Sequence, residues 1–394
     1  MDKDSKIFVA GGTGMVGSAI IRKLLQEGYT NIVSNYHRRA PAISELAPVA
    51  FHRLDLTNQA ETERFFQEQK PQYVFLAAAK VGGILANDTY KADFIYENIA
   101  IAANVIHASY RYNVSKLLNL GSSCIYPKFA PQPLKEEYLL TGPLEATNEP
   151  YALAKIAAIK LCRYYNEQYG TNFISVMPTN LYGPYDNFDL YTSHVLPALI
   201  RKFHLGKSLE GDDWEAIRDD LTKNPIEGID GRASQKEILA VLSKYGIKGS
   251  TSAPERPSVT VELWGTGEVY REFLHVDDLA DSCLFLMEKV NAWDLCSLYP
   301  RSEPAPKRIE SELEVPDYFI NVGSGTDLKI KDLSDLIRII VGFGGEIRQD
   351  PTKPDGTPKK LLDISKITRL GWRPRIGLEE GIKKTYEWYL SSDK

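Results

Sequence analysis

Short apolar runs alternate with longer stretches of helical period through about the first 180 residues. The runs are Lys6–Ala10, Asn31–Tyr36, Val49–Arg53, Tyr73–Ala79, Lys116–Ser122 and Phe173–Met177. They are short and rich in β-branched and aromatic residues, as strands covered on both faces should be. Helical patterns fall between them near 15–27, 59–69, 88–111 and 150–169. Strand–helix alternation of this kind predicts an α/β fold, a doubly wound parallel sheet with helices on both faces. The 88–111 stretch carries apolar residues on several faces (Phe94, Ile95, Ile99, Ile101, Val105, Ile106). A helix of that kind is expected to be buried in its own core or against a second subunit.

Beyond residue 180 the alternation loosens and turn signals crowd in, at Tyr182-Gly183-Pro184, Trp264-Gly265-Thr266-Gly267, Gly323-Ser324-Gly325 and Pro354-Asp355-Gly356. The pattern predicts one domain over 1–180 and a smaller α/β lobe over 181–394, with about 270–290 returning to the first domain. Two segments read as insertions. Residues 206–257 hold two helix candidates. One has Trp214, Ile217 and Leu221 on one face. The other opens with the capping-box spacing Ser234-x-x-Glu237 and stops at Gly246. Residues 291–316 hold four prolines and read as a long excursion.

Composition narrows the classes. The chain of 394 residues is 43% hydrophobic and 25% charged, which excludes general disorder. Its formal net charge of −5 argues against a nucleic-acid or anionic-membrane partner. No run reaches the ~18 apolar residues of a membrane span. The chain enters its first strand within six residues, leaving no room for a signal peptide. Cys124, Cys162, Cys283 and Cys296 form no CxxC pair, so no metal site is indicated, and scattered thiols fit a cytoplasmic setting.

The chemistry begins at Gly11-Gly12-Thr13-Gly14-Met15-Val16-Gly17, between the first strand and the first helix. Gly12-x-Gly14-x-x-Gly17 has the spacing that lets backbone amides and a helix N-terminus approach a dinucleotide pyrophosphate. An acidic residue usually follows about 20 positions on to hold a ribose 2′-hydroxyl. Here Ser34–Ala40 has no acid but has His37, Arg38 and Arg39. Guanidinium groups there suit a 2′-phosphate, so the expected cofactor is NADP(H). Asp55 is placed either at the adenine or as a cap of the following helix. Further on, Tyr151-x-x-x-Lys155 puts a phenol and an ammonium on one helix face. Ser122 precedes them at a strand end. The lysine is expected to lower the phenol pKa toward working pH.

Taken in order, these marks resemble the extended short-chain dehydrogenase/reductases, and among them the GDP-L-fucose synthases. The likeness rests on GGTGMVGS (11–18), AAAKVGGILA (77–86), GSSCIYPK (121–128), NEPYALAK (148–155), MPTNLYG (177–183), WGTGEVYREFLHVDD (264–278) and KPDGTPKKLLD (353–363). The resemblance implies a Rossmann domain with a substrate-binding lobe. It also implies a two-stage reaction on GDP-4-keto-6-deoxy-D-mannose, in which epimerisation at C3 and C5 precedes reduction at C4 by NADPH. Tyr151, Lys155 and Ser122 would serve reduction, and Cys124 and His194 epimerisation. Lys202, Trp264, Arg271 and Asp355 would contact the nucleotide sugar. Leu76, Ala77, Ala78, Pro178, Asn180 and Leu181 would line the nicotinamide side. A homodimer through helices 88–111 and 150–169 is implied as well. Two alternatives stay open: a relative acting on another GDP-4-keto sugar, and a nucleotide-sugar 4-epimerase with retained NAD.

Overall fold

A computed structural model describes residues 1–37, 46–250, 258–298, 318–353 and 355–391. Arg38, Arg39 and most of the 291–316 excursion lie outside the described residues. The first half runs β1 (Ile7–Ala10), α1 (Met15–Gln26), β2 (Ile32–Tyr36), β3 (Ala50–Arg53), α2 (Gln59–Gln69), β4 (Tyr73–Leu76), α3 (Ile84–Thr89), α4 (Lys91–Arg111), β5 (Lys116–Leu120), α5 (Glu149–Tyr169), β6 (Phe173–Pro178) and β7 (Asn180–Tyr182). The second runs α6 (Val195–Glu210), α7 (Trp214–Lys223), α8 (Gln235–Lys244), β8 (Ile247–Ser250), β9 (Ser258–Trp264), β10 (Tyr270–His275), α9 (Val276–Lys289), α10 (Ala292–Cys296), β11 (Phe319–Val322), β12 (Asp327–Lys329), α11 (Ile330–Val341), β13 (Glu346–Asp350), α12 (Ser365–Arg369) and α13 (Leu378–Ser391).

Seven parallel strands form the main sheet in the order β11-β6-β5-β4-β1-β2-β3. Strand alternation splits its side chains cleanly. Ile7, Val9, Phe75, Leu118 and Val176 pack under α1 and α9, while Phe8, Ala10, Val74, Leu117 and Phe173 pack under α2, α4 and α5. Covering both faces is what makes these strands read as continuous apolar runs. The order reverses between β1 and β4, and it is at such a point, beyond the carboxyl ends of the strands, that doubly wound sheets bind their ligands. The edge strand β11 comes from a stretch of sequence otherwise belonging to the smaller lobe.

The expected helices appear with two differences. The single helix expected over 88–111 is α3 and α4, broken at Tyr90, whose backbone (φ −109°, ψ 43°) leaves the helical region. Residues 206–210, expected to open an inserted segment, are instead the last turn of α6. The two helices of that segment are as predicted. The Ser234/Glu237 capping box is formed, and Gly246 turns the chain with φ +84°.

The smaller lobe has two three-stranded sheets, β12-β10-β7 and β13-β9-β8, around a separate apolar core. A buried ion pair locks α7 to this core. Arg201 on α6 is fully buried, and its Nε and Nη2 donate to Asp220 Oδ1 at 3.0 and 2.8 Å. Its remaining donors reach the carbonyls of Phe188 and Asn224, and Tyr389 on α13 donates to Asp220 Oδ2. Among the described residues no helix is long and apolar enough to cross a membrane. Removing one partner of such a pair strands a charge away from water. Asp220→Ala is expected to cost about 3–5 kcal/mol of folding stability, read by denaturant unfolding, and Arg201→Met/Asp220→Leu together should cost less than either alone.

Candidate active site

The glycine turn is built by close approach. Gly11 has φ +84°, and a Cβ there would lie 2.8 Å from Ala78 Cα at the end of β4. A Cβ on Gly17 would overlap the Gly11 carbonyl, so only a bare backbone lets α1 start this near β1. Asn35 on β2 fixes the turn from below. Its Oδ1 accepts the Gly11 amide at 2.8 Å, and its Nδ2 donates to the Leu54 carbonyl at 3.2 Å. Gly14 caps α1 without any side-chain hydrogen bond, and the first turn carries no acidic residue. Thr13 and Gly14 are exposed, Met15 and Val16 half-buried. A Cβ on Gly14 would meet only the Gly11 carbonyl, at 3.5 Å, so the cradle is open on one side. Open amides at the positive end of a helix suit a pyrophosphate. The residues therefore fit a dinucleotide.

Asp55 does not cap α2; Asn58 does, accepting the Glu61 amide. Burial opposes ionisation of Asp55, but the Thr57 hydroxyl and amide hold its carboxyl below the usual range. His37 Nε2 lies 3.6 Å from its other oxygen. Leu76, Ala77 and Ala78 stand at the end of β4, with the Ala77 amide bonded to the Ala10 carbonyl at 3.1 Å. Pro178 ends β6, and Asn180 and Leu181 open β7.

Four of the five expected reacting groups converge beyond β5. Ser122 Oγ accepts the Cys124 amide at 3.4 Å in a short 3₁₀ turn. Tyr151 lies in the first turn of α5, its ring 6.4 Å from that of Phe94. The Lys155 ammonium sits 5.6 Å from the Tyr151 ring centre and donates to the Leu120 carbonyl at 2.7 Å. Tyr151 and Lys155 both interact electrostatically with Cys124. The fifth group, His194, is the N-cap residue of α6. The Gly83 amide bonds the Thr192 carbonyl at 2.9 Å, tying its segment to the loop that leads into α3. The His194 side chain is exposed at the surface, yet protein packs densely around it.

Burial governs the protonation of these groups. It pushes the Tyr151 phenol well above its ordinary value, with the Cys124 sulfur adding to the effect. It pushes Lys155 down to about 8, against the opposing pull of Cys124. The expectation that Lys155 lowers the phenol is thus overturned: desolvation outweighs the cation, whose ammonium is committed to Leu120. Burial also raises the Cys124 thiol, although Lys360 and Ser122 pull it back. His194 is held below its usual value by burial and by the Lys360 ammonium. The resting site therefore offers a neutral phenol, a thiol and a neutral imidazole.

On the lobe side, Trp264 is 58% exposed, available as a face and not part of the core, with Lys353 5.5 Å from its ring centre. Asp355 accepts the Thr266 amide and hydroxyl at 2.7 and 2.9 Å. Arg271 donates to the Thr357 carbonyl at 2.6 Å and the Asp355 carbonyl at 3.4 Å. Lys202 donates to the Glu262 carbonyl at 3.0 Å, and burial lowers its pKa to about 8. Sequence reasoning missed Asn35, Lys360 and Glu272. The signal for Asn35 was a polar residue inside a strand; the other two lay unremarked inside segments that carried the resemblance.

The sequence pattern of the NAD dependent epimerase/dehydratase family matches residues 7–221 and 241–295. The chain belongs to this family. Within it the resemblance to the GDP-L-fucose synthases holds along the whole chain. GDP-L-fucose synthase 1 of Arabidopsis thaliana is 45% identical over 391 residues, covering 99% of this chain and 95% of its own. The GDP-L-fucose synthase of Escherichia coli (strain K12) is 42% identical over 387 residues, covering 98% and 97%. Among solved structures, a GDP-D-glycero-L-gluco-heptose synthase from Campylobacter jejuni in the presence of NADPH superposes with TM-score 0.83 at 40% identity, covering 99% of this chain and all of that one.

A lysine at about 8 loses its cation within an accessible range. The charge is present below that value and lost above it, so hydride transfer should fall as pH rises through about 8. Single-turnover rates against pH would show this limb, and Lys155→Met should remove it together with most of the rate.

Proposed function

We propose that the chain is an NADPH-dependent epimerase/reductase that converts GDP-4-keto-6-deoxy-D-mannose to GDP-L-fucose. The observation that carries this reading is the convergence of Tyr151, Lys155, Ser122 and Cys124 at the carboxyl end of the sheet, with Lys360 acting through space on both Cys124 and His194. Gly11 to Gly17 would hold the cofactor pyrophosphate, Arg38 and Arg39 its 2′-phosphate, and Asp55 its adenine. Tyr151, Lys155, Leu76 to Ala78 and Pro178 to Leu181 would flank the nicotinamide. When bound, the cofactor supplies the hydride.

Protons at C3 and C5 are acidified by the neighbouring keto group. A thiol and a neutral imidazole hold between them a proton to give and a lone pair to take. That suffices to remove a carbon-bound proton from one face and return one to the other. In the second stage C4 gains a hydride, and the carbonyl electron pair moves to oxygen, which takes the Tyr151 proton. A phenol kept neutral by burial is in the right state to give it. Ser122 steadies the oxygen, and the nearby Lys155 ammonium favours the phenolate left behind.

The fold of the substrate side supports the GDP-sugar assignment through exposed Trp264 and the partly buried cations Lys202 and Arg271. A homodimer suits the exposure of Tyr96, Ile99 and Leu153 on α4 and α5. A cytoplasmic setting suits four free thiols. Static light scattering should give twice the chain mass of 44.3 kDa, and Ile99→Glu with Leu153→Glu should halve it.

Incubation with the keto sugar and NADPH in deuterated water tests the whole reading. Two deuterons on carbon and stoichiometric NADPH oxidation are expected, with NADH a poor substitute. Cys124→Ser or His194→Asn should lower C3/C5 exchange by about 100-fold or more, and Tyr151→Phe should stop reduction while leaving exchange. Exchange at the normal rate in Cys124→Ala would sink the assignment. Turnover without NADPH loss would favour a 4-epimerase, and preference for a heptose would favour the related GDP-4-keto sugar.

A further inference from the structure

Glu272 is a fully buried carboxylate that neither stage of the reaction uses. Among the described residues it has no salt-bridge partner. Its Oε1 accepts the Gly325 amide at 2.7 Å and the Ser324 hydroxyl at 3.4 Å, and its Oε2 accepts the Leu362 amide at 2.9 Å. Its own carbonyl accepts Thr179 Oγ1 at 3.2 Å and Asn180 Nδ2 at 2.9 Å. One residue thus joins the turn after β11, the stretch beside the nicotinamide positions and the segment 355–363. A buried unpaired charge costs free energy unless hydrogen bonds satisfy it, so its position calls for a reason.

The reason lies in what 355–363 carries. Asp355 holds the Thr266 turn beside Trp264, and Lys360 acts through space on both Cys124 and His194. The segment is strapped down along its length. Arg271 and Glu272, adjacent on β10, point to opposite faces. Arg271 takes the carbonyls of Asp355 and Thr357, and Glu272 takes the Leu362 amide. Between them the Tyr270 amide bonds the Pro358 carbonyl at 2.9 Å, and Leu134 bonds the Leu361 carbonyl at 2.7 Å.

We propose that Glu272 is a positioning residue: by gripping the Leu362 and Gly325 amides with its two oxygens, it fixes the 355–363 strap over the sugar end of the cleft. The kinetic part rests on the epimerase/reductase reading; the structural part does not. Glu272→Gln turns one acceptor oxygen into a donor and so releases one of the two loops. Gly323→Ala is an independent probe, because its Cβ would overlap Glu272 Oε1 and lie 2.9 Å from Cδ while leaving the carboxylate in place.

Both variants of the full chain would be examined by amide hydrogen exchange and by titration with GDP and NADP⁺. Faster exchange confined to 323–326 and 355–363 is expected, with GDP affinity down about tenfold and NADP⁺ affinity unchanged. The keto-sugar KM should rise more than kcat falls. Unchanged strap protection and GDP affinity would overturn the assignment. Uniform loss of protection across the chain in both variants would also overturn it, since Glu272 would then support the whole fold. If the unaltered protein fails to turn over the keto sugar while the strap still loosens in the variants, the functional reading falls and the clamp stands.

Discussion

Close packing of protein around the carboxyl end of the sheet sets the state of most groups that gather there. Charged forms are penalised by burial whichever sign they bear. Carboxylate, thiol and phenol are pushed up at Glu272, Cys124 and Tyr151, and amines and imidazole are pushed down at Lys155, Lys202, Lys360 and His194. The cleft therefore assembles many ionisable side chains and biases each of them toward its neutral form. Acid–base catalysis needs donors that still carry protons and acceptors that are still free, and one environment provides both. Electrostatic interactions in the same space are also less screened, so Lys360 influences Cys124 and His194 together.

That environment is made by backbone meeting backbone. Gly11 against Ala78 and Gly17 against the Gly11 carbonyl bring the first helix, the first strand and the fourth strand closer than side chains allow. The cradle and the reacting groups then share one rim, because β1, β4, β5 and β6 are parallel and end on the same side. β10 closes the arrangement from the other lobe. It pairs with β7 in register Phe273–Asn180, so its residues stand beside Asn180 and Leu181 and against the 355–363 strap at once.

Much of this was legible in the sequence, for local reasons. Strands covered on both faces announce themselves as apolar runs, and the glycine turn, the Ser234 capping box and the Tyr151/Lys155 spacing each lie within a few residues. The break at Tyr90 was not legible, since no proline or glycine marks it. Nor were the pKa directions, because spacing shows a cation near a phenol but not the water excluded from both. Asn35 and Glu272 escaped because their partners lie far off in the chain, at Gly11 and Leu54, or at Gly325 and Leu362. A polar residue in an apolar strand shows that a partner exists without showing which.

Helix α7 and the core it packs on share a mutual constraint. Arg201 sits one position before Lys202, in the core of the smaller lobe, and among the described residues its charge is balanced only by Asp220 of α7. Removing α7 would leave a guanidinium enclosed in hydrocarbon next to Lys202. Replacing Arg201 alone would leave the carboxylate equally marooned. The two residues are therefore interlocked: a change at either is tolerated only when the other, in a separate stretch of the chain, changes with it.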